Sequence, residues 1–408
     1  MLRLVQRYAG REIFSGLNTN FHNMVVRIID WIIWGLLAIP VAYQLFFAIC
    51  SKFRCSRKHT SEVLAGDCKV LVLIPAYMED AVIEQSVTSI MGQDYPKDKY
   101  KVTVIADKFK KETVERLNTY RINVLDMNFD ASSKAVALKY AMEHECEVFD
   151  IVVILDADNV VDPSFLDDMA TAYSQGDQAI QAHRMAKNRN TDIATLDALN
   201  EEVSNSILRK GHNVVGMSSA LIGSGMGFDF KWFKDNVIHL SSAGEDKELE
   251  KLLLKQRVFV RYLPDTDVKD EKVQSGKGFY SQRRRWVSAQ FFSMVESIKD
   301  FPSALLHGNI DYCDKLLQWI MLPRMLLIGT MALCLVLSIL INGVDFIKWC
   351  ILLGTIIMAF FIATPRYLYN WRLLKALFKI PVIIVMMVLN LFRIKGSRDK
   401  FYHTEHKV

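Results

Sequence analysis

Ile151-Val152-Val153-Ile154-Leu155-Asp156-Ala157-Asp158 is the stretch whose reading decides this fold. Five apolar, mostly β-branched residues in a row describe a strand buried on both faces, the habit of parallel sheets. The carboxylates that follow emerge at the strand's carboxyl edge, where open α/β sheets place their ligands. Working outward, further strand candidates are Val70 to Ile74, Lys101 to Ala106, Ile122 to Leu125, Gln178 to His183 and Val258 to Tyr262. Helical patterns fall between them at Ala81 to Met91, Lys111 to Asn118, Ser133 to His144 and Pro163 to Tyr173. Asp162-Pro163 reads as a helix start, a capping carboxylate followed by proline at the first helical position. This alternation predicts an α/β domain with a mostly parallel sheet covered on both faces. No internal repeat or low-complexity tract interrupts it.

The chain has 408 residues, 51% of them hydrophobic, and a mean hydropathy of +0.14, which leaves room for membrane segments beside that domain. Trp31 to Cys50, Met325 to Val344 and Trp349 to Pro365 are long, charge-free apolar runs that can cross a hydrocarbon core. Ile380 to Phe392 is shorter and contains Pro381 and Asn390, so it reads as re-entrant or interfacial. Val287 to Ile298 reads either as an amphipathic helix at the membrane surface or as an ordinary core helix. The resulting organisation is an N-terminal segment 1–30, a span 31–50, the catalytic α/β domain 51–286, an interfacial helix 287–315, spans 316–344 and 346–365, an interfacial or re-entrant segment 366–395, and a basic tail 396–408. A cleaved signal peptide fits the first run poorly, because polar and basic residues precede it and no small-residue cleavage site follows.

The net charge is +5, and its basic residues sit beside apolar runs rather than in a stripe interleaved with aromatics. Anionic lipid headgroups explain them better than nucleic acid does. Seven cysteines without paired metal spacing, an odd number, argue for reduced thiols rather than a disulfide framework.

Three motifs carry chemistry. Asp156 and Asp158 can hold a hard divalent cation, Mg²⁺ or Mn²⁺, against a diphosphate. Glu245-Asp246 offers a carboxylate base. Gln282-Arg283-Arg284-Arg285-Trp286 adds positive charge and an aromatic platform. Gly223-Ser224-Gly225-Met226-Gly227-Phe228 lacks the spacing and context of a dinucleotide fingerprint, and reads as a loop that lets substrate approach the backbone or as a tight structural turn.

With these residues in view, the chain resembles the membrane-integrated family-2 glycosyltransferases, which include cellulose, hyaluronan and poly-N-acetylglucosamine synthases. The likeness covers roughly residues 68 to 300, with the flanking spans similar in layout. It implies a GT-A-type nucleotide-diphosphosugar transferase domain, a nucleoside-diphosphate sugar donor, a divalent cation and inversion at the anomeric carbon. Pro75-Ala76-Tyr77-Met78-Glu79 looks like the family's nucleotide-binding loop, although Met78 stands where asparagine is usual. Asp107 is similar to the acid that contacts the nucleotide base, and Lys134 to a lysine near the donor phosphates, at a helix start that suits an anion. The resemblance assigns Asp158 to the metal, Asp156 to the donor ribose or to the metal's surroundings, and Asp246 to the catalytic base, with Glu245 as its rival. Gly223, Gly225, Glu245, Gln282, Arg285 and Trp286 fall on the acceptor side, where Arg285 and its neighbours either bind the diphosphate or hold their helix. Phe401-Tyr402-His403-Thr404-Glu405-His406 is similar to a C-terminal element that folds over the donor site in some relatives.

The expected function is therefore sugar transfer from a UDP-hexose or UDP-HexNAc to a growing polysaccharide, with the enzyme multi-pass in the inner (cell) membrane and its catalytic domain cytosolic. Membrane lipids surround the spans, and a saccharide or lipid-linked acceptor meets the donor. Three clear spans are few for a polymer channel, which favours a partner subunit, a homo-oligomer, or single-sugar transfer to a polyprenyl-linked or lipid acceptor. A non-catalytic scaffold subunit is the alternative from another class, and retention of Asp158 and Asp246 counts against it.

Overall fold

In the computed structural model, residues 2–54, 67–129, 132–241, 244–341 and 344–391 are described. The Phe401–His406 element and the basic tail lie outside them. The chain divides into two compact units, residues 1–46 with 322–362 and residues 47–321 with 363–408.

The larger unit holds an eight-stranded sheet: β1 (Val70–Tyr77), β2 (Tyr100–Asp107), β3 (Asn123–Met127), β4 (Ile151–Ile154), β5 (Val160–Val161), β6 (Ala179–Ala186), β7 (Met226–Asp229) and β8 (Val260–Asp270). Its order is β3-β2-β1-β4-β7-β6-β8-β5. The pairs β1/β2, β1/β4, β2/β3 and β6/β8 are parallel, whereas β7 and β5 run antiparallel to their neighbours. Alternate residues of β1 feed opposite cores. Val70, Val72 and Ile74 pack towards the helices Ile83–Met91 and Phe165–Ser174, while Leu71 and Leu73 pack towards Lys134–His144, Phe230–Val237 and Glu245–Lys255. Both faces are dry, which is why β1 and β4 read as unbroken apolar runs.

Two strands escape the sequence pattern. Half of the glycine-rich stretch is β7, inserted between β4 and β6, and β5 is only two residues long. The last strand also runs to Asp270 rather than ending near Tyr262. Pro264-Asp265-Thr266 has turn chemistry, but here it forms an irregularity in the ladder between Ala182 and His183, and pairing resumes at Asp267. Proline has no N–H for the ladder, so a bulge is where a strand tolerates it. The helix expected at Pro163 starts at Phe165 instead, without a side-chain cap, and the Asp162 carboxylate pairs with Lys269 at 2.7 Å.

The helix Gly276–Ser297 is continuous, so the expected domain boundary at 286 falls inside it. Ser275 caps it by accepting from the Gly278 amide at 3.1 Å, and no proline follows to stop it. The segment 287–315 is accordingly several helices, ending with Ile310–Ile320. Pro323 breaks the next segment by holding the residue before it out of the helical region, so a new helix begins at Arg324 and runs to Leu340. Near the C-terminal end, Trp371–Leu377 and Ile380–Asn390 are bent by 48° at their junction. Asn390 Nδ2 donates to the Tyr280 carbonyl at 3.3 Å, laying this pair along Gly276–Ser297.

In the smaller unit, the first helix, Leu2–Cys50, begins well before residue 31, and its span-like part is Asn23–Cys50. Asp30 accepts from Trp349 Nε1 at 2.9 Å and pairs with Lys348, whose ammonium lies 4.0 Å from the centre of the Trp31 ring. Arg324 Nε donates to Gln44 at 3.2 Å. Two helices, Asn23–Cys50 and Phe346–Ala363, are long and apolar enough to cross a membrane, or up to four if each bent pair is one span. Six described cysteines are free thiols, and Cys55 lies outside the described residues.

Candidate active site

At the carboxyl end of β4 the chain turns sharply at Asp156, and buried polar groups hold the turn. The Asp156 amide donates to Asn159 Oδ1 at 2.9 Å and to Ser224 Oγ at 3.1 Å. Asp158, almost fully buried, accepts from Asn159 Nδ2 at 3.2 Å and from the Glu271 amide at 2.9 Å. Lys134 opens the helix that Ser133 caps. Its ammonium donates to Asp156 Oδ1 at 2.5 Å and to the Gly223 carbonyl at 2.6 Å, and stands 3.5 Å from Glu245 Oε1. Burial opposes that charge, but Asp156 and Glu245 outweigh it and hold the lysine pKa above its ordinary value.

These groups share a cavity of about 470 Å³ with Pro75, Ala76, Tyr77, Glu79 and Asp107. Asp107 ends β2, and its buried Oδ1 has no hydrogen-bond partner among the described residues. An orphaned buried acceptor is costly, and it can take an N–H of a ligand. The neighbouring Met78 adopts φ +55°, a left-handed conformation that asparagine tolerates better than methionine does. Its side chain is half exposed and outside the cavity lining.

Across the cavity, Glu245 and Asp246 open the helix Glu245–Lys255. Burial pushes the Glu245 carboxyl up to about 7, with Lys134 opposing and Asp246 and Asp156 reinforcing the shift. Asp246 is more open, its side chain 21% accessible against 9% for Glu245. Asp246 accepts from the Lys247 amide at 2.9 Å. Gly223, at φ +81°, faces the two acids: a Cβ there would stand 3.7 Å from Glu245 Oε1 and 4.0 Å from Asp246 Cβ.

Gln282, Arg285 and Trp286 also line the cavity, as residues three and four apart on one helical face must if one of them does. Arg283 points elsewhere, paired with Asp197 and stacked 4.7 Å from the Phe279 ring centre and 4.4 Å from that of Trp286. It anchors the helix, while Arg285 has no ion-pair or hydrogen-bond partner among the described residues. Of the site residues expected from sequence, only Gly225 does not reach the cavity. It packs inside the sheet at φ +64°, where a Cβ would lie 2.9 Å from Val268 Cγ2.

Several groups at this site carried no readable signal in the sequence. Gln181 Nε2 donates to the Ser224 carbonyl at 2.9 Å and Gln181 Oε1 accepts from the Ile222 amide at 3.0 Å, pinning the loop that bears Gly223. In the cavity wall, Arg184 pairs with Glu201 at 3.1 Å and Asp270 at 3.4 Å and Arg209 with Glu201 at 3.3 Å, while Lys272 behind them pairs with Asp270 at 2.8 Å. Burial alone would raise the Glu201 pKa, but the three cations hold it well below the usual carboxylate range. Only Asn159 was within reach of sequence reading, as an Asx residue just past the strand end.

Among the described residues no group of three or more His, Cys, Asp or Glu side chains could hold a metal. Asp156 and Asp158 nevertheless present oxygen ligands to the cavity. One or two carboxylates completed by substrate phosphates is the usual arrangement for a small hard cation, so the residues present fit one.

Residues 67–289, more than half of the chain, match the family described as Glycosyltransferase like family 2, and the chain belongs to that family. The chain is similar in structure to mannosyltransferase PcManGT from Pyrobaculum calidifontis, solved in complex with GDP-Man and Mn²⁺. The identity is 16% and the TM-score 0.56, over 88% of this chain and 99% of that one. S. aureus TarS 1–349 also matches, at 16% identity and a TM-score of 0.42, over 81% of this chain and 90% of that one. No curated protein sequence matches significantly. The fold is GT-A-like, an α/β architecture on a mostly parallel, curled sheet.

Proposed function

We propose that the chain is an inverting, metal-dependent sugar transferase of the membrane, using a nucleoside-diphosphate sugar, a UDP-hexose or UDP-HexNAc, to extend a polysaccharide. The observation that carries this reading is the gathering of Asp107, Lys134, Asp156, Asp158, Asp246 and Trp286 around one cavity. Pro75, Ala76, Tyr77, Glu79 and the free oxygen of Asp107 receive the nucleoside, while Lys134 and Asp156 sit beside the ribose and diphosphate. Asp158, with Asp156 beside it, would hold Mg²⁺ or Mn²⁺, and such a cation would neutralise charge developing on the departing diphosphate. Asp246 takes the proton of the acceptor hydroxyl as that oxygen attacks the anomeric carbon and the bond to the diphosphate breaks on the opposite face. Trp286 offers its ring to the acceptor sugar, with Gly223 and Gln282 beside it and Glu245 close to Asp246. In this reading the catalytic domain, expected over residues 51–286 and continuing through the helix Gly276–Ser297, faces the cytosol of a multi-pass inner-membrane enzyme, a reading that the apolar helices support.

The small number of span-length helices among the described residues, two or up to four, favours a second reading, transfer of one sugar to a polyprenyl-linked or lipid acceptor. A partner subunit or a homo-oligomer would otherwise complete an export path.

The test is nucleotide release from UDP-, GDP- and dTDP-sugars by the detergent-solubilised chain, with Mg²⁺ or Mn²⁺ and with Asp246→Asn as control. Release from one donor, lost on chelation and lost in the variant, is the expected result. A high-mass product selects polymerisation, and a lipid-extractable product selects single transfer. Absence of release from every donor, with membrane extract supplied as acceptor, would leave only a scaffold role.

A further inference from the structure

Beside Asp246 the cavity has a basic wall. Lys247, Arg285 and Lys315 line this wall, brought from three separate helices: Glu245–Lys255, Gly276–Ser297 and Ile310–Ile320. Their compensation is uneven: Lys315 Nζ donates to Gln318 Oε1 at 2.7 Å, and although burial opposes the Lys247 charge, Asp246 and Glu250 hold its pKa above the ordinary value. Lys315 Nζ lies 2.6 Å from Glu250 Oε1, an oxygen that also accepts from the Leu221 amide at 3.0 Å. Lys247 Nζ stands 3.8 Å from Asp246, the proposed base, and Arg285 has no partner among the described residues. Burial pushes the Lys315 pKa down, against the pull of Glu250, and the Lys247 charge pushes it down further. Like charges gathered at a partly dry wall repel one another, and an anion placed among them relieves the repulsion.

Beyond the cations the wall turns aromatic and apolar at Trp319 and Ala289. Gln290 Nε2 fixes that end by donating to the Trp319 and Met321 carbonyls, both at 3.0 Å. A base, cations and an aromatic ring therefore line one cavity.

We propose that this wall is a subsite for an acceptor bearing a phosphate or diphosphate group. The anionic group sits among Lys247, Arg285 and Lys315, the reacting hydroxyl reaches Asp246, and the remainder of the acceptor runs over Trp319. The proposal rests on the transferase reading above and names its acceptor class.

Binding to the full detergent-solubilised chain tests it without turnover. The probes are geranylgeranyl diphosphate, geranylgeraniol and inorganic pyrophosphate, each titrated calorimetrically with and without saturating UDP and Mn²⁺. The diphosphate lipid is expected to bind at least about tenfold more tightly than the alcohol, and to keep that affinity when UDP and Mn²⁺ fill the donor end. Lys247→Gln should cut diphosphate binding by about tenfold and leave alcohol binding unchanged. Lys315→Met alone would strand the buried Glu250 carboxylate, so it is combined with Glu250→Gln and should give the same loss. Pyrophosphate binding as tightly as the prenyl diphosphate would place the affinity in the phosphate group alone and point to a soluble phosphorylated acceptor, while much weaker binding would point to a lipid-linked one. Equal affinity for diphosphate and alcohol, displacement by UDP and Mn²⁺, or indifference to both variants would overturn the subsite. Intact diphosphate binding with no nucleotide release from any donor would instead sink the transferase reading and leave the subsite standing.

Discussion

Glu245 and Asp246 are adjacent in sequence yet occupy different electrostatic environments. Glu245 is buried and its pKa is raised to about 7 from 4.5. A carboxyl whose folded pKa exceeds its unfolded one contributes stability fully below the unfolded value, and loses that contribution as pH rises through the folded one. Glu245→Gln removes this dependence, so its melting temperature relative to wild type should rise between pH 5 and pH 8; a flat difference across that range would refute the buried, protonatable acid. Arg283 and Arg285 invite the same comparison. Arg283→Ala leaves the buried Asp197 carboxylate unpaired, a loss of about 3 kcal/mol or more visible as a lower melting temperature. Arg285→Ala removes a cation with no partner among the described residues, so its melting temperature should stay near wild type while nucleotide release falls about a hundredfold. The resemblance singled out Arg285 among the three arginines by motif position, but the residues themselves could not give the reason, because helical phase relative to a cavity exists only once the helix is docked. The departure at Met78 is similar, since its positive φ shows why asparagine suits the position.

Among the elements, β7 shows best where pattern reading stops. Gly223-Ser224-Gly225-Met226-Gly227 has the composition of a loop, yet β4 and β6 lie on either side and claim its second half as a strand. Its glycines do different work. Gly225 combines a positive φ with contact against Val268 Cγ2 and Ala182 Cβ, whereas a Cβ at Gly227 would meet the end of the flexible Met169 side chain first. Gly225→Ala should therefore cost about 2 kcal/mol or more and Gly227→Ala distinctly less, measured as melting temperatures in the same detergent; the reverse order would contradict the packing. Gly223 faces the acids and leaves space for substrate. In β8, the turn-like Pro264-Asp265-Thr266 hides a strand that continues to Asp270, and the amide just beyond it, that of Glu271, holds Asp158.

At the level of the whole molecule, a GT-A-like fold shares its chain with helices apolar enough to cross a bilayer. The chain should stay in the membrane pellet after washing at pH 11 with carbonate and leave it only with detergent, and release by carbonate would argue against spanning. Sequence by itself determined what depends on neighbouring residues: the unbroken apolar runs of β1 and β4, the acids at the end of β4, the long charge-free helices and the motifs, because strand burial and membrane length are written in local hydrophobic pattern. Only the tertiary structure decided that Arg283 turns to Asp197 and anchors its helix, that Gly225 is a packing residue, that Asn159 and Ser224 hold the Asp156 turn, and that Arg184, Arg209 and Lys272 neutralise Glu201 and Asp270. The physical reason is that hydrogen bonds and ion pairs join positions distant in the chain, and their partners leave no periodic trace before the sheet brings them together.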